Sequence, residues 1–207
     1  RTLDWGIRMV LLIALPASLA LGLLAEPLMA TIFFYGEVTA HDVTNMALAL
    51  QSYSSGLVAF MLIKVLGPGY YARQDTMGPV KIGMQAMVVN MVFNLILVFP
   101  FQHVGLALAT SISSWYNALM LYRGLSQQGV AKAQSGWLGF LAKMLVANAV
   151  LVGAIFWLAG DSSAWIQWQG SERVWHMAVV VVVGVMGYLL ALLAAGLRVK
   201  HLKGEAF

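Results

Sequence analysis

The chain reads as a succession of long apolar runs separated by short clusters of turn and charged residues. The runs approach the roughly 20 residues that an α-helix needs to cross a hydrocarbon core. Six of them predict membrane spans: 9–24, 44–66, 80–98, 104–125, 137–158 and 174–197. Gly36, the stretch 67–69, Pro100, Gly129 with Gly136, and the stretch 160–170 punctuate them. Pro16 falls inside the first run and is expected to kink it. Glu26 and Pro27 are expected to end that span, with 28–35 lying as a short helix at the interface. The pattern predicts an all-α fold, a polytopic helical membrane protein with six transmembrane helices.

The most heavily punctuated stretch is 64–81, which gathers charge, turn residues and aromatics in one place. Pro68 and Gly69 are expected to end a helix, because proline has no amide proton and clashes with the preceding turn. Pro79 suits the first turn of the next helix, where a missing donor costs nothing. Tyr70, Tyr71, Arg73 and Asp75 lie between, in what should be a short, structured connection at a membrane surface.

Polarity differs among the spans. The second carries Gln51, Ser52, Ser54 and Ser55, the third Gln85, Asn90 and Asn94, and the fourth Thr110, Ser111, Ser113, Ser114 and Asn117. Asn90 and Asn94 are four residues apart and share a helix face, as do Thr110 and Ser114. Asn90 and Asn94, facing Thr110 on the next span, form a candidate oxygen-rich cation site. The competing reading is that these groups hold helices together at about 0.6 kcal/mol per hydrogen bond. The fifth and sixth spans are nearly bare apart from Asn148 and His176, so spans two to four are expected to pack inward and the last two outward. Gly187, Ala191 and Ala195 form a small-residue stripe suited to one close helix contact.

Composition sharpens the membrane reading: 61% of the 207 residues are hydrophobic and 10% charged, against roughly 45–50% and about 25% in soluble domains. Cysteine is absent, which excludes disulfides, thiolate metal sites and a cysteine nucleophile. The net charge of +4 is distributed as membrane orientation requires, and nucleic acid is not an expected partner. One side receives Arg1, Arg8, Lys64, Arg73, Lys81, Arg123, Lys132, Lys143, Arg198, Lys200 and Lys203, and the other only Arg173. By the positive-inside rule both termini and the 64–81 connection are cytoplasmic. Glu26, Glu37, Asp42, Asp161 and Glu172 fall on the outer side. The chain starts with Arg1, and its first apolar run continues past Leu24 without a cleavage site, so an internal portion of a longer polypeptide is expected rather than a signal peptide.

Catalytic chemistry is not apparent. There is no His-Glu-x-x-His, no phosphate-cradling Gly-rich loop with Lys, and no carboxylate pair at helical spacing. His41, His103, His176 and His201 are scattered over loops and ends. No enzyme is expected, and any transport must draw on a gradient, the membrane potential or consumption of the product elsewhere.

Several motifs together resemble one family. Lys64-Val65-Leu66, Pro68-Gly69-Tyr70-Tyr71-Ala72-Arg73-Gln74-Asp75 and Pro79-Val80-Lys81 are similar to the signature loop of the MurJ/MviN family, the bacterial flippases for lipid II. Leu3-Asp4-Trp5-Gly6, Ala14-Leu15-Pro16, Phe34-Tyr35-Gly36 and Gly105-Leu106-Ala107-Leu108 extend the resemblance over essentially the whole chain.

The resemblance implies the C-terminal part of a fourteen-helix, two-lobe transporter. Residues 1–125 would be helices of the C-terminal lobe, and 126–207 two additional helices with a cytoplasmic tail. It implies lipid II, membrane lipids and the N-terminal half of the same polypeptide as partners, and the bacterial inner membrane as location. Lys64 becomes a substrate-side or gating charge, the alternative being a snorkelling anchor. Arg73 and Asp75 become an ion pair latching a cytoplasmic gate, or a local pair fixing the loop. No cofactor is implied beyond sodium or potential coupling. Sodium binding by some members points to Asn90, Asn94 and Thr110, with Asn94 standing where some members carry an acid, and Met77 and Gly78 depart from the usual basic residue and threonine. The rival readings are an exporter of another polyprenyl-linked saccharide or of cationic drugs, a membrane transferase using Asp161 and Glu172, and a non-transporting scaffold.

Overall fold

The computed structural model describes residues 2–130 and 136–196. Arg1, Lys132, Arg198, Lys200, His201 and Lys203, all used in the sequence reading, lie outside the described residues, as does the tail beyond 196. The described chain is all-helical: α1 (Thr2–Leu23), α2 (Ala25–Phe33), α3 (Ala40–Tyr71), α4 (Met77–Gln127), α5 (Trp137–Ala159), α6 (Ser162–Gln167) and α7 (Gly170–Ala194). Among the described residues α1, α3, α4, α5 and α7 are long and apolar enough to cross a membrane.

α4 accounts for two of the predicted runs. Its 51 residues would make a rod of about 76 Å at 1.5 Å per residue, more than twice a hydrocarbon core. Instead the backbone leaves helical geometry at Gln102 (φ 49°, ψ −126°) and the two limbs face each other. Asn90 of the first limb donates toward Thr110 and Ser113 of the second, and Tyr116 donates to Gln85. Gly105 permits this approach, because a Cβ there would strike the backbone carbonyl of Leu97.

Four expectations need correction. The first helix breaks at Leu24, and Glu26 and Pro27 open α2 rather than ending α1. α3 runs through Pro68 to Tyr71: a proline near the end of a helix removes one donor without forbidding the last turn. Non-helical backbone in the signature stretch is therefore confined to 72–76, and Lys64 and Lys81 both sit on helices. The inward and outward assignment also changes. The first limb of α4 buries only Ala86, whereas α5 and α7 each carry a continuous buried stripe. Two asparagines occupy too narrow an arc to turn a whole helix inward, and α5 and α7 each bury one stripe while keeping an exposed apolar side, with Leu145 and Phe156 on α5 and Val182 and Leu190 on α7.

The chain divides into two compact units: the described residues of Arg1–Ser18 with Ser52–Trp137, and those of Leu19–Gln51 with Leu138–Arg198. In the first, Ile7 of α1, Leu66 and Tyr70 of α3, and Leu121 and Leu125 of α4 form the apolar core. Small polar groups hold its helices elsewhere. Ser111 donates to the carbonyl of Ser52 at 2.6 Å and Trp115 to that of Ser55 at 2.9 Å, joining α4 to α3 through atoms that cannot find water in a bilayer.

In the second unit α5 presents Phe140, Met144, Ala147, Leu151 and Ile155, and α7 presents Met177, Val180, Gly184, Tyr188 and Leu192. Gly184 is the close approach: a Cβ there would lie 3.2 Å from Leu151. Of the stripe expected from Gly187, Ala191 and Ala195, Gly187 faces Val150, with room for a Cβ at 3.7 Å from it.

Arg173 organises the same unit. It is 5% exposed and donates to the carbonyls of Ala30 and Phe34 at the end of α2 and of Ile166 in α6, each at 3.1 Å. The guanidinium lies 4.8 Å from the Phe34 ring centroid. Helix C-termini concentrate negative partial charge, so among the described residues carbonyls and the Phe34 ring compensate this cation. Arg173→Met is expected to cost on the order of 3 kcal/mol, since several charge-assisted bonds go and buried carbonyls are orphaned. Arg173→Lys should fall between, because an ammonium lacks the planar fork. Thermal unfolding of the two variants in the full-length parent in detergent tests the order: equal melting of Met and Lys variants contradicts it.

Candidate functional site

The site grows from the end of α3. Tyr70 is buried to 2% exposure, its ring among Leu66, Leu121 and Leu125, and its hydroxyl donates to the carbonyl of Leu121 at 3.0 Å. Gly124 makes the space, because a Cβ there would strike the Tyr70 hydroxyl. The chain then turns sharply. The Tyr70 carbonyl accepts from the N–H groups of Arg73 and Asp75, the Tyr71 carbonyl accepts from Gln74, and Gln74 adopts φ 60°. Asp75 accepts from the Gly78 N–H at 2.8 Å, satisfying one of the free donors that open α4.

This arrangement separates the two charges expected to pair. Asp75 serves α4, while Arg73 points toward the Gln128 carbonyl at 3.5 Å, and among the described residues no ion pair joins Arg73 to Asp75. Instead Arg73 and Lys64, which is exposed on α3, line one cleft of about 620 Å³ between the start of α1 and the end of α3. Leu3, Trp5, Val65 and Pro68 are among its other walls, and no carboxylate of the described residues lines it.

The acid nearest on α1 is committed elsewhere. Asp4 pairs with Arg8 at 2.9 Å on the same helix and accepts from the Trp137 indole at 2.8 Å, and the Arg8 guanidinium lies 5.0 Å from the Trp137 ring centroid. Both Asp4 and Arg8 are buried. The sequence reading placed Arg8 with the surface charges and missed this cluster. The available signal was an acid and a base four apart at the head of an apolar helix.

Asn90, Asn94 and Thr110 come together, joined by Ser113. Asn94 donates to Asn90 Oδ1 at 3.0 Å, and Asn90 donates toward Thr110 Oγ1 at 3.5 Å and Ser113 Oγ at 3.4 Å. Thr110 donates to the Leu106 carbonyl, and Ser113 and Ser114 to the Thr110 carbonyl. The groups form a relay of donors and acceptors in which Asn94 Oδ1 alone is buried without a partner. A hard cation takes about six oxygens, and here Asn90 Oδ1 accepts from Asn94 while Thr110 Oγ1 accepts from Asn90. Among the described residues no three His, Cys, Asp or Glu side chains are grouped as a metal site.

Fold and site define a class: a multi-pass helical membrane protein with polar groups between helices and, among the described residues, two cations at one cleft that no carboxylate lines. The chain belongs to the MurJ family, since the family model described as lipid II flippase MurJ matches residues 1–175. It is 46% identical over 202 residues to a probable lipid II flippase MurJ of Vibrio cholerae, covering 98% of this chain and 38% of that protein. A Haemophilus influenzae relative with the same description is 39% identical, over 97% of this chain and 39% of the relative. The lipid II flippase MurJ of Burkholderia cenocepacia is 37% identical, over 99% of this chain and 40% of the relative. The chain thus spans about two fifths of the length of these relatives. A solved structure titled lipid II flippase MurJ, inward closed conformation, shares the fold at a TM-score of 0.74 and 18% identity, over 91% of this chain and 37% of that one.

The Tyr70 anchor yields a local prediction. Tyr70→Phe removes one buried hydrogen bond and should destabilise by about 1 kcal/mol. Gly124→Ala drives a methyl into the hydroxyl and should cost about 1–3 kcal/mol. Combining them should cost less than the sum, because the phenylalanine vacates the space that the methyl needs. Melting temperatures of the two single variants and the double, made in the parent protein, read this directly; strict additivity counts against the contact.

Proposed function

We propose that this chain is the C-terminal portion of a flippase that moves lipid II, the undecaprenyl-pyrophosphate-linked peptidoglycan precursor, across the bacterial inner membrane by alternating access. The observation that carries the reading is family membership across residues 1–175, with lipid II flippase the description of relatives matched over nearly the whole chain. The doubled-back α4 supports a count of six crossings, and the charge partition supports cytoplasmic ends. In this reading 1–125 supplies helices of one lobe and 126–207 the additional helical pair with its tail. The N-terminal part of the polypeptide completes the cavity.

Lys64 and Arg73 supply cationic charge at the cytoplasmic gate, and Asp75 holds the loop that carries Arg73. Their shared, acid-free cleft supports that role. Sodium coupling through Asn90, Asn94 and Thr110 requires the amides to turn their oxygens toward a common centre, starting from the already free Asn94 Oδ1. Membrane-potential coupling needs no such rearrangement. The family assignment favours lipid II over another saccharide or a cationic drug.

Cells depleted of their own flippase and given the full-length parent, wild type or Lys64→Ala, provide the test. Lipid-linked precursor should become accessible to a degrading enzyme added outside with wild type, and be reduced at least tenfold with an equally abundant Lys64→Ala protein, roughly the loss of one charge-assisted contact. Failure of the wild-type parent to restore accessibility despite good insertion would reject the flippase reading. Equal restoration by both proteins would remove Lys64 from the mechanism.

A further inference from the structure

Lys64 and Arg73 share a cleft in which the usual source of compensation is missing. No carboxylate of the described residues lines it. The acids on the neighbouring backbone are engaged, Asp4 by Arg8 and Trp137 and Asp75 by the head of α4. Arg73 makes one long contact to a carbonyl at 3.5 Å, and Lys64 is exposed on its helix. Apart from Thr2, the other side chains of the cleft are apolar, with Leu3 and Trp5 from α1 and Val65 and Pro68 from α3. A free inorganic anion would match the charges and waste the walls, while a hydrocarbon chain would match the walls and leave the charges bare. The complementary ligand is an amphiphile with a phosphate at its head.

We propose that this cleft binds an anionic glycerophospholipid of the adjoining leaflet. Its phosphodiester sits between Lys64 and Arg73, and its glycerol and first methylenes lie against Leu3, Trp5 and Val65. Tryptophan is a residue of the headgroup zone, which suits Trp5 as a wall at that depth. The cleft, at about 620 Å³, has the size of a small-molecule pocket: enough for a phosphoglycerol and the start of its chains, too small for a saccharide headgroup with peptide. Because Arg73 is held by the turn that follows Tyr70, the lipid would couple the ends of α1 and α3 to the connection leading into α4. Such binding is independent of whether the protein transports lipid II.

Native mass spectrometry on the full-length parent tests it, using phosphatidylglycerol, phosphatidylcholine with identical chains, inorganic phosphate, and undecaprenyl pyrophosphate as probes. Wild type should retain phosphatidylglycerol in preference to phosphatidylcholine. The Lys64→Gln, Arg73→Gln double variant should bind it on the order of 30-fold more weakly, as expected for two interfacial cations. Arg123→Gln, an exposed cation outside the cleft, should match wild type. If the double variant does not fold, Ala72→Trp fills the cleft while keeping both charges and should abolish retention.

Equal retention of the two phospholipids, or undiminished binding in the double variant or in Ala72→Trp, overturns the proposal. Full competition by inorganic phosphate reduces the cleft to a simple anion site and also overturns it. Preferential capture of undecaprenyl pyrophosphate would replace the phospholipid by a polyprenyl carrier. These readouts report binding alone, so failure here leaves the transport test untouched.

Discussion

A chain in lipid has no water to complete its backbone hydrogen bonds, and each place where a helix stops must provide substitutes. At the end of α2 the Arg173 guanidinium takes the carbonyls of Ala30 and Phe34. At the end of α3 the Tyr70 carbonyl accepts two N–H groups from the turn that follows, and Asp75 serves the opening of α4. α7 opens on a reciprocal cap in which Gln169 and Glu172 satisfy each other's backbone donors. Between helices, Ser111 and Trp115 satisfy their own side-chain donors on carbonyls in the middle of α3. Much of what looks like scattered polarity in the spans is this service to the backbone.

The same constraint sorts the cations. Arg8 is buried and neutralised by a carboxylate one turn away, under an indole that also binds that carboxylate. Arg173 is buried and compensated by carbonyl dipoles. Lys64 and Arg73 have neither arrangement. Arg8 and Arg173 are enclosed by their partners, whereas the exposed Lys64 and Arg73 flank a cleft with largely apolar walls. That contrast, rather than charge as such, distinguishes a group available to a ligand from one that holds the fold.

Much of the architecture was legible because hydrophobic run length is set by bilayer thickness. Span positions for α5 and the two limbs of α4 follow closely from it. Helix ends were less legible. Pro68 looked like a stop, yet the last turn of α3 tolerates it, since the packing of Tyr70 beyond the proline outweighs one lost donor. The juxtaposition of Asn90, Asn94 and Thr110 was readable from helical periodicity and the short connection at Gln102; the direction in which each amide donates was not. Arg173 was counted as a loop charge because composition cannot reveal partners more than 130 residues away, and Arg8 was counted with it although its acid stands four residues before it. The signature loop drew attention to Arg73 and Asp75 together, but capping chemistry assigned them separate tasks.

The spacing of these contacts along the chain also sets a schedule. The hairpin of α4 closes through partners 20 to 31 residues apart, so it can form soon after its second limb leaves the ribosome. The Tyr70 anchor closes over 51 residues. The head of α1 waits far longer, because Trp137, which covers the Asp4 and Arg8 pair, arrives 133 residues after Asp4. The end of α2 waits 143 residues from Ala30 for Arg173. α1 and α2 are thus made well before the residues that seal them, each waiting for a side chain more than 130 positions further along the chain.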